Sequence, residues 1–276
     1  MNKNEKFAEL ERIFGTRKPI IGMVHLAPLP GSPRYEGMSM KEITDLALSD
    51  ARLLNQAGVD GAIVENFGDV MFYKRIPPET LAAMTYVAAE IAREVPGLVL
   101  GICALQSDAI ASMAIANTVG AKFIRVPYYT ETYVVDAGLM DSIAAETLRY
   151  RKFLNADVKI FADVHIKHGY PLLQRPIGQS AIDAEHRGLA DAILVTGVAT
   201  GAQTKIDDVK EVKESVSYTP VFVASGVDEK NLPLYKNYAD GAILGTHIKQ
   251  NEDTEAPIDP AKLSAFMKVA RNTWPK

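Results

Sequence analysis

Val221-Phe222-Val223-Ala224 runs directly into Ser225-Gly226, and Ala242-Ile243-Leu244 runs into Gly245-Thr246. Each is a short continuous apolar run ended by small residues, the pattern of a strand buried on both faces and followed by a tight turn. A Gly-containing turn after a strand lets backbone N–H groups come close to a ligand, and a helix starting there would add its positive end. In (β/α)8 barrels the loops after strands seven and eight commonly bind phosphate in this way. The two turns therefore predict a barrel that holds a phosphorylated small molecule, with Ser225, Gly226, Gly245 and Thr246 as phosphate-binding residues.

The rest of the chain repeats the theme. Strand-like runs are expected at Pro19–His25, Gly61–Glu65, Leu98–Ala104, Lys122–Val126, Val158–Val164 and Ala192–Thr196, which with the two above makes eight. Amphipathic stretches lie between them, at Ser39–Ala57, Pro78–Glu94, Asp108–Val119, Asp141–Asn155, Ser180–Leu189, Lys205–Ser215 and Leu232–Asn237. A last helix is expected over Pro260–Arg271, and a short one over Lys3–Phe14 closes the barrel bottom. Gly58, Gly120 and Gly188 fall at helix ends, and Pro78 and Pro260 at helix starts. Repeated strand–helix units mean a parallel sheet with right-handed crossovers. The expectation is an α/β fold, a single-domain (β/α)8 TIM barrel over 1–276 with a short N-terminal helix; an open doubly wound sheet is the alternative.

The bulk numbers agree with one globular domain: 276 residues, 47% hydrophobic and 23% charged. Net charge is −4, which argues against sequence-independent binding to nucleic acid, a function that needs a basic surface. The single cysteine, Cys103, rules out an internal disulfide framework. No apolar run approaches the roughly 18 residues that span a bilayer, and Met1–Phe14 lacks a signal-peptide core. No membrane span and a cytoplasmic location are expected.

Function in such a barrel sits at the C-terminal ends of the strands. Strand one ends at His25, followed by a stiff loop with three prolines, Pro28, Pro30 and Pro33. Strand two ends at Glu65-Asn66, and a carboxylate closing an apolar strand must be solvated, paired or bound. Asp69 follows close behind. Strand four ends at Arg125, which either points inward to pair with Glu65 or Asp163 or meets an anionic substrate. Strand five is densest: Asp163, His165 and Lys167 alternate, so they face one way if strand geometry continues, and His168 follows. Such a group could be an acid–base pair or ligands of a divalent metal, though His165 and His168 lack the helical spacing of a zincin. The lysine could carry a phosphate, steady an enolate or form a Schiff base. Strand six ends in the hydroxyl-rich turn Thr196–Gly201, a third side for a phosphate cup. Cys103 at the end of strand three reads as a small buried hydrophobe.

The stretches Lys18–His25 (KPIIGMVH), Pro28–Tyr35 (PLPGSPRY), Gly61–Asp69 (GAIVENFGD), Pro78–Thr85 (PETLAAMT), Phe161–His168 (FADVHIKH) and Ile193–Gly201 (ILVTGVATG) resemble the BtpA family along nearly the whole chain. The resemblance implies a fold grouped with the ribulose-phosphate-binding barrels. It also implies a pocket drawn from His25, Glu65, Asn66, Asp69, Asp163, His165, Lys167, Thr196, Thr200 and Gly201. The family is named for a protein needed for photosystem I accumulation, yet many members occur in organisms without photosynthesis, often beside sugar-uptake and sugar-kinase functions; no reaction attaches to it. Two departures bear on substrate: Cys103–Asp108 replaces the family's Asn-containing strand with an Arg-Asn-Asp ending, and strand four closes on Val126-Pro127-Tyr128-Tyr129 instead of the commoner Val-Asn.

Together these residues predict an enzyme acting on a phosphorylated sugar or related metabolite by acid–base chemistry, of lyase, isomerase or epimerase type. Glu65, Asp163 and His165 are the acid–base candidates and Lys167 the electrostatic or Schiff-base candidate. His25, Asn66, Arg125, Thr196 and Thr200 are assigned to substrate binding, and Gly201, Ser225, Gly226, Gly245 and Thr246 to phosphate. A divalent metal and a homo-oligomer stay open. The alternatives are a non-catalytic assembly or biogenesis factor and a nucleoside- or nucleotide-directed enzyme.

Overall fold

The computed structural model describes residues 3–197 and 202–275. Eight strands close into one parallel barrel: β1 (Ile20–His25), β2 (Gly61–Glu65), β3 (Val99–Cys103), β4 (Phe123–Val126), β5 (Lys159–Val164), β6 (Ala192–Thr196), β7 (Val221–Ala224) and β8 (Gly241–Leu244). Each strand pairs with its sequence neighbours, and β1 pairs β8 through Ile20 opposite Ala242 and Ile21 opposite Ile243. The open-sheet alternative is thereby excluded, and every expected strand is present to within one residue at either end.

Eight α-helices accompany the strands among the described residues: α1 (Lys3–Phe14), α2 (Met40–Gln56), α3 (Pro78–Glu94), α4 (Ala109–Val119), α5 (Ala144–Phe153), α6 (Ile177–His186), α7 (Ile206–Ser215) and α8 (Pro260–Thr273). Their ends are set locally. Ser39 and Glu42 form a reciprocal capping box on α2, and Asp108 accepts from the Ala111 amide at the start of α4. The helix expected over Leu232–Asn237 is instead a single 3-10 turn, Leu232–Tyr235. The preceding residues are consumed by a turn in which Asp228 accepts from the Lys230 and Asn231 amides, so too little chain remains before β8.

The interior is layered by the two-residue period of the strands. Phe123, Phe161 and Phe222 meet inside the lower barrel, with ring centroids 4.6 Å apart for the first two and 5.2 Å for the last two. Phe14 of α1 reaches Phe123 from below, at 5.6 Å, so the N-terminal helix does plug the bottom. Gly101 and Gly241 face this layer where a Cβ would lie 2.3 Å from the rings of Phe123 and Phe222. Two residues further along the same strands come Arg125 and Asp163, so a charged layer rests on the aromatic floor. No helix is long and apolar enough to cross a membrane among the described residues.

One element has no counterpart in the sequence reading. Tyr133–Val135, Gly138–Met140 and Gly169–Pro171 form a small antiparallel sheet, supplied by the loops after β4 and β5. It packs on Tyr128 and Ile166 beside the barrel mouth. Strands of three residues leave too little periodicity to detect.

Candidate active site

The mouth of the barrel holds a cavity of about 450 Å³, within the size range of small-molecule sites. His25, Glu65, Arg125, Lys167, Ser225, Gly226, Gly245 and Thr246 line it, each previously singled out in the sequence. Met23, Phe67, Phe72, Leu105, Ile166 and Ile243 give it apolar walls.

Arg125 and Asp163 occupy neighbouring strands and lock together. Arg125 Nε donates to Asp163 Oδ2 and Nη2 to Oδ1, both at 2.9 Å, and the carboxylate is fully covered. Burial disfavours the guanidinium charge, but Asp163 and then Glu65 outweigh it and hold the arginine's pKa above its usual range. With both oxygens committed and no place in the cavity lining, Asp163 serves to orient and neutralise Arg125. The direct acid–base role expected of Asp163 is revised accordingly.

Glu65 differs. Its nearest basic side chains stand beyond hydrogen-bond length, Arg125 Nη1 at 3.9 Å and His25 Nε2 at 3.7 Å. The carboxylate is buried at the cavity wall without a tight ion pair, beside the Cys103 thiol, which burial and Glu65 push well above its ordinary pKa. His25 packs against Phe67 with ring centroids 4.8 Å apart and the planes tilted by 39°. Burial, with the charges of Lys249 and Lys167, lowers its pKa to about 3, so the ring is neutral at ordinary pH. Nδ1 lies 3.2 Å from the Thr254 carbonyl, an acceptor only; Nδ1 therefore carries the proton and Nε2 turns a lone pair toward Glu65. The contact between His25 and Glu65 is thus not an ion pair.

The alternation expected for Asp163, His165 and Lys167 does not hold. β5 ends at Val164, and His165 takes a φ of +48°, which turns its side chain out of the barrel. His165 Nε2 lies 3.0 Å from Ser180 Oγ, and that hydroxyl donates to Glu131, so the imidazole ties the mouth loops to α6. It does not line the cavity. Lys167 does: its amide donates to Thr196 Oγ1 at 3.2 Å and its Nζ to Ser225 Oγ at 2.8 Å. Burial and then Arg125 lower the Lys167 pKa to about 8, against the opposing pull of Glu65 and Asp163.

Ser225 and Gly226 both adopt positive φ, +72° and +58°. Such a conformation in a serine marks strain held by its surroundings, a frequent property of ligand sites. A Cβ on Gly226 would lie 2.4 Å from the Ala202 backbone, so the two loops close on each other only with glycine there. After Gly245, the chain makes only the three-residue 3-10 turn Thr246–Ile248, and no α-helix starts at either turn. The anion-attracting helix end that the sequence left possible is absent; the basic side chain at these turns is Lys167.

Asn66 faces a smaller adjoining cavity, where its Nδ2 donates to Asp69 at 3.1 Å and its Oδ1 accepts the Leu105 amide at 2.8 Å. Asp69 in turn accepts the Leu29 amide at 2.7 Å. These two residues bind three mouth loops to one another. Thr200 and Gly201 lie outside the described residues. Sequence reasoning missed Gln106, Asp136, Tyr128 and His247, which also line the cavity. Gln106 Nε2 donates to Asp136 at 2.8 Å, joining the loop after β3 to the small sheet, a pairing across distant loops that no local pattern announces. Among the described residues, no group of three or more His, Cys, Asp or Glu is placed to hold a metal ion.

A closed barrel of eight parallel strands with an ionisable cavity at its C-terminal mouth defines a TIM-barrel protein, the class in which that face carries the ligand site. The fold recurs in N-(5'-phosphoribosyl)anthranilate isomerase from Pyrococcus furiosus, with TM-score 0.58 and 13% identity over 92% of this chain and 99% of that one. It recurs in 3-keto-L-gulonate-6-phosphate decarboxylase from Vibrio cholerae, with TM-score 0.53 and 12% identity over 94% and 100%. Within the class, the chain belongs to the BtpA family, which residues 16–272 match. It is 40% identical over 262 residues to the photosystem I biogenesis protein BtpA of Synechocystis, covering 95% of this chain and 91% of that protein. It is 42% identical to an uncharacterized protein of Pyrococcus furiosus, covering 92% and 95%.

Proposed function

We propose that this protein is a cytoplasmic enzyme that moves a proton on a phosphorylated sugar or related small metabolite, a lyase, isomerase or epimerase. The observation that carries the reading is convergence: Glu65 without a tight ion pair, the Lys167 amine, and the Ser225–Gly226 and Gly245–Thr246 turns all face one cavity. Phosphate held at those turns would fix the substrate, and fixed geometry is itself a large part of catalysis. Glu65 is the acid–base group, with its carboxylate available to take a proton from carbon or hydroxyl. Arg125, kept charged and oriented by Asp163, stabilises the negative charge that follows. Neutral His25 accepts a substrate hydroxyl through Nε2. The names of both solved barrels above carry phosphorylated substrates, which supports the same class of ligand here.

A thermal-shift screen against sugar phosphates, nucleotides and inorganic phosphate, with and without divalent cations, tests this. A ligand at 100 times its Kd adds about 2.7 kcal/mol of stability. The expected result is a sugar phosphate that protects more than inorganic phosphate, with the protection kept and turnover lowered roughly 10²–10⁴-fold in Glu65→Gln. Silence across the panel overturns the reading and leaves the assembly-factor alternative that the Synechocystis relative's name supports.

A further inference from the structure

We infer that Lys167 is a covalent nucleophile, forming an iminium with the open-chain carbonyl of a phosphorylated aldose or ketose. The inference rests on the phosphate-cup reading above and adds to it a reaction intermediate. The geometry supplies the parts. Lys167 follows β5 at the barrel mouth, lines the cavity and reaches Ser225 at 2.8 Å, so its amine lies next to the turn assigned to the phosphate. A phosphate seated on that turn would bring a carbonyl a few bonds away within reach of Nζ.

Charge bookkeeping across the cluster points the same way. Arg125 is permanently charged and engaged with Asp163, while Glu65 has no tight cationic partner. Burial, and then the fixed charge of Arg125, disfavour a free ammonium at Nζ against the opposing pull of Glu65 and Asp163, so the amine is held closer to its neutral, nucleophilic form than an exposed lysine.

The step balances. Neutral Nζ attacks the carbonyl carbon, a C–N bond forms, and the carbonyl π pair moves to oxygen, which receives the proton shed by nitrogen. A proton from solvent then turns that hydroxyl into water, which leaves as the nitrogen lone pair closes the iminium. Glu65, at the cavity wall, is placed to remove a proton from the adjacent carbon and give an enamine. No oxidant or reductant is consumed.

Reductive trapping tests this on the whole protein. Dihydroxyacetone phosphate and ribulose 5-phosphate are incubated with it and borohydride is added, which delivers hydride to an iminium carbon and fixes the adduct. The expected result is one adduct per chain, mapped by peptide mass spectrometry to Lys167, suppressed by inorganic phosphate and absent from Lys167→Met. Mapping on the unaltered protein makes the result independent of how that variant folds. Thermal protection by the sugar phosphates with no adduct, or with adducts spread over surface lysines, overturns the inference and leaves the phosphate reading standing. An adduct at Lys167 formed equally well with unphosphorylated dihydroxyacetone and indifferent to inorganic phosphate keeps the nucleophile and removes the phosphate cup. Neither protection nor adduct overturns both.

Discussion

Asp163→Asn separates a residue that reacts from one that holds another in place. The replacement keeps the shape but removes the charge facing Arg125, whose two hydrogen bonds at 2.9 Å both end on that carboxylate. The pair is almost fully buried, with 7% of the arginine side chain and none of the aspartate exposed. Removing one member of such a pair strands a buried charge and typically destabilises by about 3–5 kcal/mol. Glu65 at 3.9 Å offers partial compensation, so the lower end of that range applies, about 3 kcal/mol. Against a total stability of roughly 5–15 kcal/mol the loss is large. Urea unfolding at pH 7.5 reads it as a lower midpoint with an unchanged slope. The double variant Asp163→Asn with Arg125→Met removes both charges and recovers much of the loss, a positive coupling in a double-mutant cycle. A change below about 1 kcal/mol, or additivity in the cycle, would refute the claim that the pair is ionised and mutually dependent. Turnover in Asp163→Asn falls with Arg125 misplaced, yet its pH profile keeps the wild-type midpoints; a lost limb would return Asp163 to direct proton transfer.

Lys167 makes a second test in stability alone. Its folded-state pKa of about 8 lies below the ordinary lysine value of 10.5, so between those values the unfolded chain binds more protons and stability rises with pH. The rise relative to Lys167→Met amounts to about 3 kcal/mol across pH 8 to 10.5; a difference that stays flat over that window contradicts a buried, depressed amine. His25, lowered to about 3, stays neutral from pH 5 to 8. Its ring carbon NMR shifts should therefore be constant over that range, and a titration centred near pH 6 would show an exposed imidazole instead.

Much of this molecule is written in short-range pattern. Eight apolar runs, each ended by small or polar residues, predicted the barrel to within one residue at either end of each strand, because a strand buried on both faces has little else it can be. The same two-residue period carried the interior: Phe123 with Arg125, and Phe161 with Asp163, place aromatic rings below and charges above on one side of their strands. Cavity-lining residues at strand ends, from His25 and Glu65 to Ser225 and Thr246, were legible for that reason.

Beyond the last strand residue that logic stops. One positive φ at His165 reverses the expected alternation, so His165 leaves the cavity for Ser180 while Lys167 enters it. Which carboxylate takes the arginine was equally undecided by sequence, since Glu65 and Asp163 end similar strands. Only the tertiary arrangement gives Arg125 to Asp163 at 2.9 Å and leaves Glu65 at 3.9 Å. Partner choice among buried charges depends on register and distance across strands, and a one-dimensional pattern holds neither.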